Sequence, residues 1–186
     1  MTKEELYKHL TYVNSSRENR LKYAQMVLND KSLFPKLLSI LFMLDDKVSC
    51  RAAWVLEFTC NKDLEVLISY LDIFTKNIHK VHLDSAVRPV AKVCEYLVKA
   101  YYSKHNNNIK IALKPIYQER IIEACFDWMI TDQKVAVKAY SMNSLYLLGQ
   151  DYDWVHPELK TILERGFHSE SAGFKARARH LLKKIK

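Results

Sequence analysis

Residues 86–101 read Ala-Val-Arg-Pro-Val-Ala-Lys-Val-Cys-Glu-Tyr-Leu-Val-Lys-Ala-Tyr. Within this stretch Val87, Val90, Ala91, Cys94, Leu97, Val98 and Tyr101 return every three or four residues, the spacing that lines one face of an α-helix. Pro89 falls inside the pattern, which opens near Asp84, so a kink or a later start is expected there. The same period holds upstream at Leu64, Leu67, Ile68, Leu71, Phe74 and Ile78, and near the end at Phe174, Ala178, Leu181, Leu182 and Ile185. No segment alternates as a strand would. Only 3 glycines and 4 prolines occur in 186 residues, which excludes collagen and argues against sandwiches and barrels, whose turns consume such residues. A hydrophobic content of 49% with 11% aromatics excludes a disordered chain.

The few breakers fall where helix ends need them. Pro35, behind a Ser32 cap, Pro115 and Pro157 each suit a first helical turn, where a missing N–H costs no intrahelical bond. Gly149 and Gly166 follow apolar runs and are expected to end helices in the left-handed conformation. The helices then pair: 3–13 with 16–29, 33–44 with 47–60, 63–79 with 85–102, 115–130 with 133–148, and 157–166 with 171–185. The hairpins span 3–29, 33–60, 63–102, 115–148 and 157–185. A polar insertion, 103–113, opens with Ser103-Lys104-His105-Asn106-Asn107-Asn108.

Early in the last four second helices one local pattern recurs: Ser49-Cys50-Arg51, Ala86-Val87-Arg88, Ala136-Val137-Lys138 and Gly173-Phe174-Lys175. The basic positions lie 37, 50 and 37 residues apart, the long interval absorbing the insertion. Capping oxygens precede each helix: Asp45 or Asp46, Asp84, Asp132 and Ser169. A helical hairpin at such a period is the mark of a solenoid, in which each hairpin needs a neighbour to cover its apolar face. On these residues the chain resembles HEAT and armadillo-like repeats, whose second helices often carry a valine–arginine pair with small residues a turn later. Val87-Arg88 with Ala91 fits well, and Val137-Lys138 with Ser141 fits fairly. The small residues shift after Cys50-Arg51, and Phe174-Lys175 lacks the valine. The expected fold is all-α: one domain, a right-handed α-α superhelix of about five hairpins and about ten helices, with no sheet.

The formal net charge is +8, and it is uneven. From Lys160 to Lys186 eight basic residues face only Glu164 and Glu170, leaving +6 there and +2 before it. Cys50, Cys60, Cys94 and Cys125 sit among apolar neighbours without a CxxC, as buried thiols in a reducing compartment do. The charged start and the lack of a long apolar run fit a cytoplasmic protein away from membranes.

Catalytic signals are sparse. There is no HExxH, His-Glu pair, GxSxG or Gly-rich phosphate cradle, and His79 with His82 near Asp84 lacks a third ligand on a shared face. No catalytic residue, metal or cofactor is expected. The loop Gly-Ser-Ser-x-Met-Pro-x-Lys-x-Asn-Pro of the adenylosuccinate lyase superfamily is missing, so likeness to that group has no motif behind it. Some alkylpurine DNA glycosylases are built of HEAT-like repeats, with a basic concave face, aromatic side chains and a catalytic aspartate. Trp54, Trp128, Tyr140 and the basic row allow a loose match, but no tryptophan–aspartate segment carries over.

Stacking would bring Arg51, Arg88, Lys138 and Lys175 onto one line. Facing solvent, they make a positive ladder. Paired with a neighbouring hairpin's Asp46, Asp84 or Asp132, they fix register. Arg179 and Lys183, with Lys175 and Lys186, extend a cationic face on the last helix. The expected task is non-enzymatic binding through the concave second-helix surface, using Arg51, Arg88, Lys138, Lys175, Arg179, Lys183, Trp54 and Tyr140. The partner is a protein or acidic peptide, with nucleic acid as the alternative.

Overall fold

The computed structural model describes residues 1–185, and Lys186 lies outside them. Among the described residues there are eleven α-helices, three 3-10 helices and no strand. The first hairpin is α1 (Lys3–Leu10) with α2 (Arg17–Asn29), and the second is α3 (Phe34–Leu41) with α4 (Lys47–Lys62). In the third, a 3-10 helix at Leu64–Tyr70 leads into α5 (Leu71–Asn77), a 3-10 turn at Ile78–Lys80 and α6 (Asp84–Tyr101). The short α7 (Ile109–Ala112) sits in the insertion. Then come α8 (Pro115–Ile130) with α9 (Val135–Leu148) and α10 (Val155–Ser169) with α11 (Ala172–Leu182).

The second helices lie side by side in the order α2, α4, α6, α9, α11, and the first helices form a parallel outer layer. Neighbouring second helices pack more extensively than the shorter first helices, and the second-helix side is the inner face of the stack. One apolar cluster runs between the layers from Leu6 to Ile185. Tyr7 donates to Asp46 at 2.8 Å and Tyr102 to Asp151 at 2.6 Å, each tying one hairpin to the next. Among the described residues no helix is long and apolar enough to cross a membrane.

Several local expectations change. The segment 63–79 is not one α-helix. Asp63 caps a 3-10 turn by accepting from Glu65 N, and Leu64, Leu67 and Tyr70 then fall at three-residue steps, the winding that keeps all three on one side. Neither glycine is left-handed: no positive φ occurs among the described residues, Gly149 has φ −64°, and Gly166 lies within α10. Both are required by packing. A Cβ on Gly149 would overlap the His156 ring, and one on Gly166 would come within 2.5 Å of Phe174. Among the second helices the side-chain caps are Ser16, Asp46 and Ser171. Asp84 instead opens α6, where its charge favours the helix dipole, and α9 has no side-chain cap, so Asp132 does not serve as one. Ser169 is the last residue of α10. The insertion is partly folded: Asn107 Nδ2 donates to Ala100 O at 2.9 Å and to Ser103 Oγ at 3.1 Å, and α7 follows.

Helix α6 starts at Asp84 and runs through Pro89. Proline has no N–H, so the carbonyl of Ser85, four residues earlier, loses its helical donor. The Trp54 indole N–H, reaching over from α4, donates to that carbonyl at 2.8 Å. The hairpin before thus supplies the bond the proline removed.

Candidate functional site

The four basic positions meet different fates. Arg51 donates to the Thr11 carbonyl at the end of α1. Arg88 reaches back to Glu57 on α4 at 2.8 Å. Lys138 is buried against Glu170, the residue after α10, and is not a rung of a solvent ladder. Lys175 is partly exposed and, among the described residues, makes no ion pair. The partners are therefore glutamates, and the three aspartates do other work: Asp46 caps α4, Asp84 meets Lys134 at 3.4 Å, and Asp132 is exposed. The reason is reach. Glu57 projects from mid-helix toward the following second helix, whereas the aspartates sit at helix starts.

Arg179 rests 5.9 Å from the Phe167 ring on α10, and Lys183 is exposed at the end of α11. Both lie at the open end of the stack. Trp54 and Tyr140 are partly exposed on the inner face, each under a cation: Arg20 is 4.4 Å from the Trp54 ring and Lys92 is 4.3 Å from the Tyr140 ring. Trp128 is buried in the core and offers no surface.

The centre of the inner face holds residues that sequence reasoning missed. Glu95 on α6 is 1% exposed, and its carboxylate accepts from Lys92 at 2.7 Å, Lys99 at 2.8 Å and Asn143 of α9 at 2.6 Å. Burial alone would raise its pKa, but these three donors win, and the group stays below the ordinary carboxylate range. Asn143 in turn accepts from Arg177 of α11 at 3.2 Å. Polar bonds thus cross from α4 to α11. Tyr96, beside Glu57, is pushed up to about 12, first by burial and then by the nearby carboxylates. The signal was available: Arg88, Lys92, Glu95 and Lys99 fall at helical spacing opposite the apolar stripe of α6.

Cations and rings take turns along the second helices, except that α6 carries both: Arg20 stands on α2, Trp54 and Phe58 on α4, Arg88, Lys92 and the Tyr96 ring on α6, Tyr140 and Tyr146 on α9, and Arg177 on α11. A cavity of about 200 Å³ opens on this face between Arg17, Glu57, Phe58, Asn61 and Tyr96. On the outer layer a cavity of about 390 Å³ is lined by Thr75, Lys76, His79, Arg120, Glu123 and Asp127, with Arg120 fixed to Asp72 at 2.9 Å. His82 meets Asp45 at 3.2 Å, apart from that cavity. Among the described residues no cluster of three His, Cys, Asp or Glu side chains is placed to hold a metal. Burial pushes the Cys60 and Cys94 thiols up, and Cys125 to about 12, so all three are poor nucleophiles.

A model of the HEAT repeat domain family matches residues 7–185. Neither a curated protein nor a solved structure matches the chain.

Proposed function

The chain belongs to the HEAT repeat domain family, and from that premise we propose that it is a binding scaffold holding a protein partner against the inner face of its second helices. The observation that carries this is the row of partly exposed aromatic rings on α4, α6 and α9, with Arg20, Arg88 and Lys92 standing among them. Such rings combine contact area with low entropy loss, and the cations among them add orientation. Cations and rings follow one another along the stacked second helices, so a long partner meets both in turn. The carboxylates on this face are engaged by bases and amides, which fits support of the surface better than proton transfer.

Site-specific photocrosslinking in cells tests the proposal. A benzophenone amino acid at Lys99 or Tyr140 is expected to give discrete partner adducts, and one at the outer positions Glu123 or Glu164 none. Equal yields from both faces would overturn it.

A further inference from the structure

The alternation on the inner face says what kind of segment lies there. Cations that reach this surface stand on every other second helix: Arg20 on α2, Arg88, Lys92 and Lys99 on α6, Arg177 on α11. On the helices between, the basic residue of the row is otherwise engaged, since Arg51 serves the Thr11 carbonyl and Lys138 is buried on Glu170. Those helices present Trp54 with Phe58 and Tyr140 with Tyr146. The native acids cancel only part of this charge: Glu57 offsets Arg88, but Glu95 faces both Lys92 and Lys99, and Arg20 and Arg177 make no ion pair among the described residues. Packed helices lie about 8–10 Å apart, so alternate ones are about 16–20 Å apart. An extended chain advances about 3.3 Å per residue, so it covers that distance in about 5–6 residues.

We infer that the inner face takes an extended acidic peptide segment of a protein partner, with carboxylates about six residues apart and an apolar side chain midway between them. The carboxylates meet α2, α6 and α11, and the apolar groups rest on the rings of α4 and α9. A helical peptide rises only about 1.5 Å per residue and would need acids about 11–13 residues apart. Nucleic acid fits less well. Bases stack flat on a ring face, and Arg20 covers that of Trp54 and Lys92 that of Tyr140, whereas an aliphatic side chain packs on a ring edge as well.

This inference rests on the inner-face reading, and its test separates the two. Two fluorescein-labelled peptides of one composition are titrated by anisotropy, one with glutamates about six residues apart and leucines between them, the other with the glutamates clustered. The spaced peptide is expected to bind at least about tenfold more tightly. The Arg20→Gln/Arg177→Gln double variant should lose that preference with an unchanged melting midpoint. Neither arginine holds a buried acid, so the variant is expected to fold. Equal affinity for the two peptides, no binding of either, or tighter binding of duplex DNA would overturn the inference while the inner-face crosslinks stand. If the spaced peptide binds but ignores the double variant, and its label crosslinks to α8 or α10, the inner-face reading itself falls, and this inference with it.

Discussion

Helices α6 and α11 open alike, with Ala86-Val87-Arg88 and Gly173-Phe174-Lys175, yet they do opposite things. Helix α6 lies between α4 and α9 and buries residues on three sides, from Ala86 to Val98. Its Arg88 finds Glu57 behind it, and its Glu95 finds Asn143 ahead. Helix α11 packs chiefly on α9 and α10, and among its described residues buries Phe174, Ala178 and Leu181. Its cations Lys175, Arg179 and Lys183 have no following repeat to meet among the described residues. A repeat motif therefore prescribes a helix and an apolar stripe, while the neighbour on each side prescribes what the polar residues do.

The sharpest way to break this comparison is to empty the core of each helix. Leu97→Ala in α6 is expected to cost about 2–5 kcal/mol, because a fully enclosed site cannot collapse around the cavity. Leu181→Ala in α11 should fall at or below the low end of that range and act mainly on the last hairpin. Urea melts followed by hydrogen exchange read both effects. Equal costs with global unfolding in each would mean that position in the stack does not matter.

A smaller effect probes the latch between α4 and α6. Trp54→Phe removes the donor to Ser85 O and should destabilise by about 0.5–1.5 kcal/mol. In a Pro89→Ala background the helix regains its own N–H donor for that carbonyl, so the same substitution should cost less. A double-mutant cycle with no coupling would show that the indole bond does not replace the one lost at the proline. Between α9 and α11 the side-chain bond is instead an exposed one, from Arg177 to Asn143 at 3.2 Å.

The finest difference is in pH dependence. The carboxyl of Glu95 is held below its unfolded pKa, so its stabilisation is present above that value and is lost as pH falls through the lower folded value. Stability is expected to decline on acidification in this window, and Glu95→Gln should flatten the decline. Thermal melts across mildly to strongly acidic pH measure it. An unchanged profile in the variant would assign the acid sensitivity elsewhere.

Much of the fold was legible in the residues. Apolar periodicity located every hairpin, and the recurrent small-apolar-basic triplets set their order. The segment after Asp63 was misjudged as α-helix because three- and four-residue spacings overlap over a short run, and packing chose the tighter winding. The glycines were misjudged because sequence suggests a backbone reason where the crowding comes from His156 and Phe174. Of the surface, Trp54 and Tyr140 were visible as aromatic candidates, but their covering cations were not. Arg20 lies 34 positions before Trp54, and Lys92 lies 48 before Tyr140.

The sequence by itself determined that this chain is a series of amphipathic helices in pairs, because helical period and breaker placement are local properties of a few adjacent residues. Only the tertiary structure decided that Lys138 is buried, that Arg88 and Lys92 stay at the surface, and that Trp54 completes another helix. Those outcomes depend on which carboxylate, carbonyl or ring lies across the seam between hairpins. The groups that meet there are about a full repeat apart in the chain, and no local pattern records the meeting.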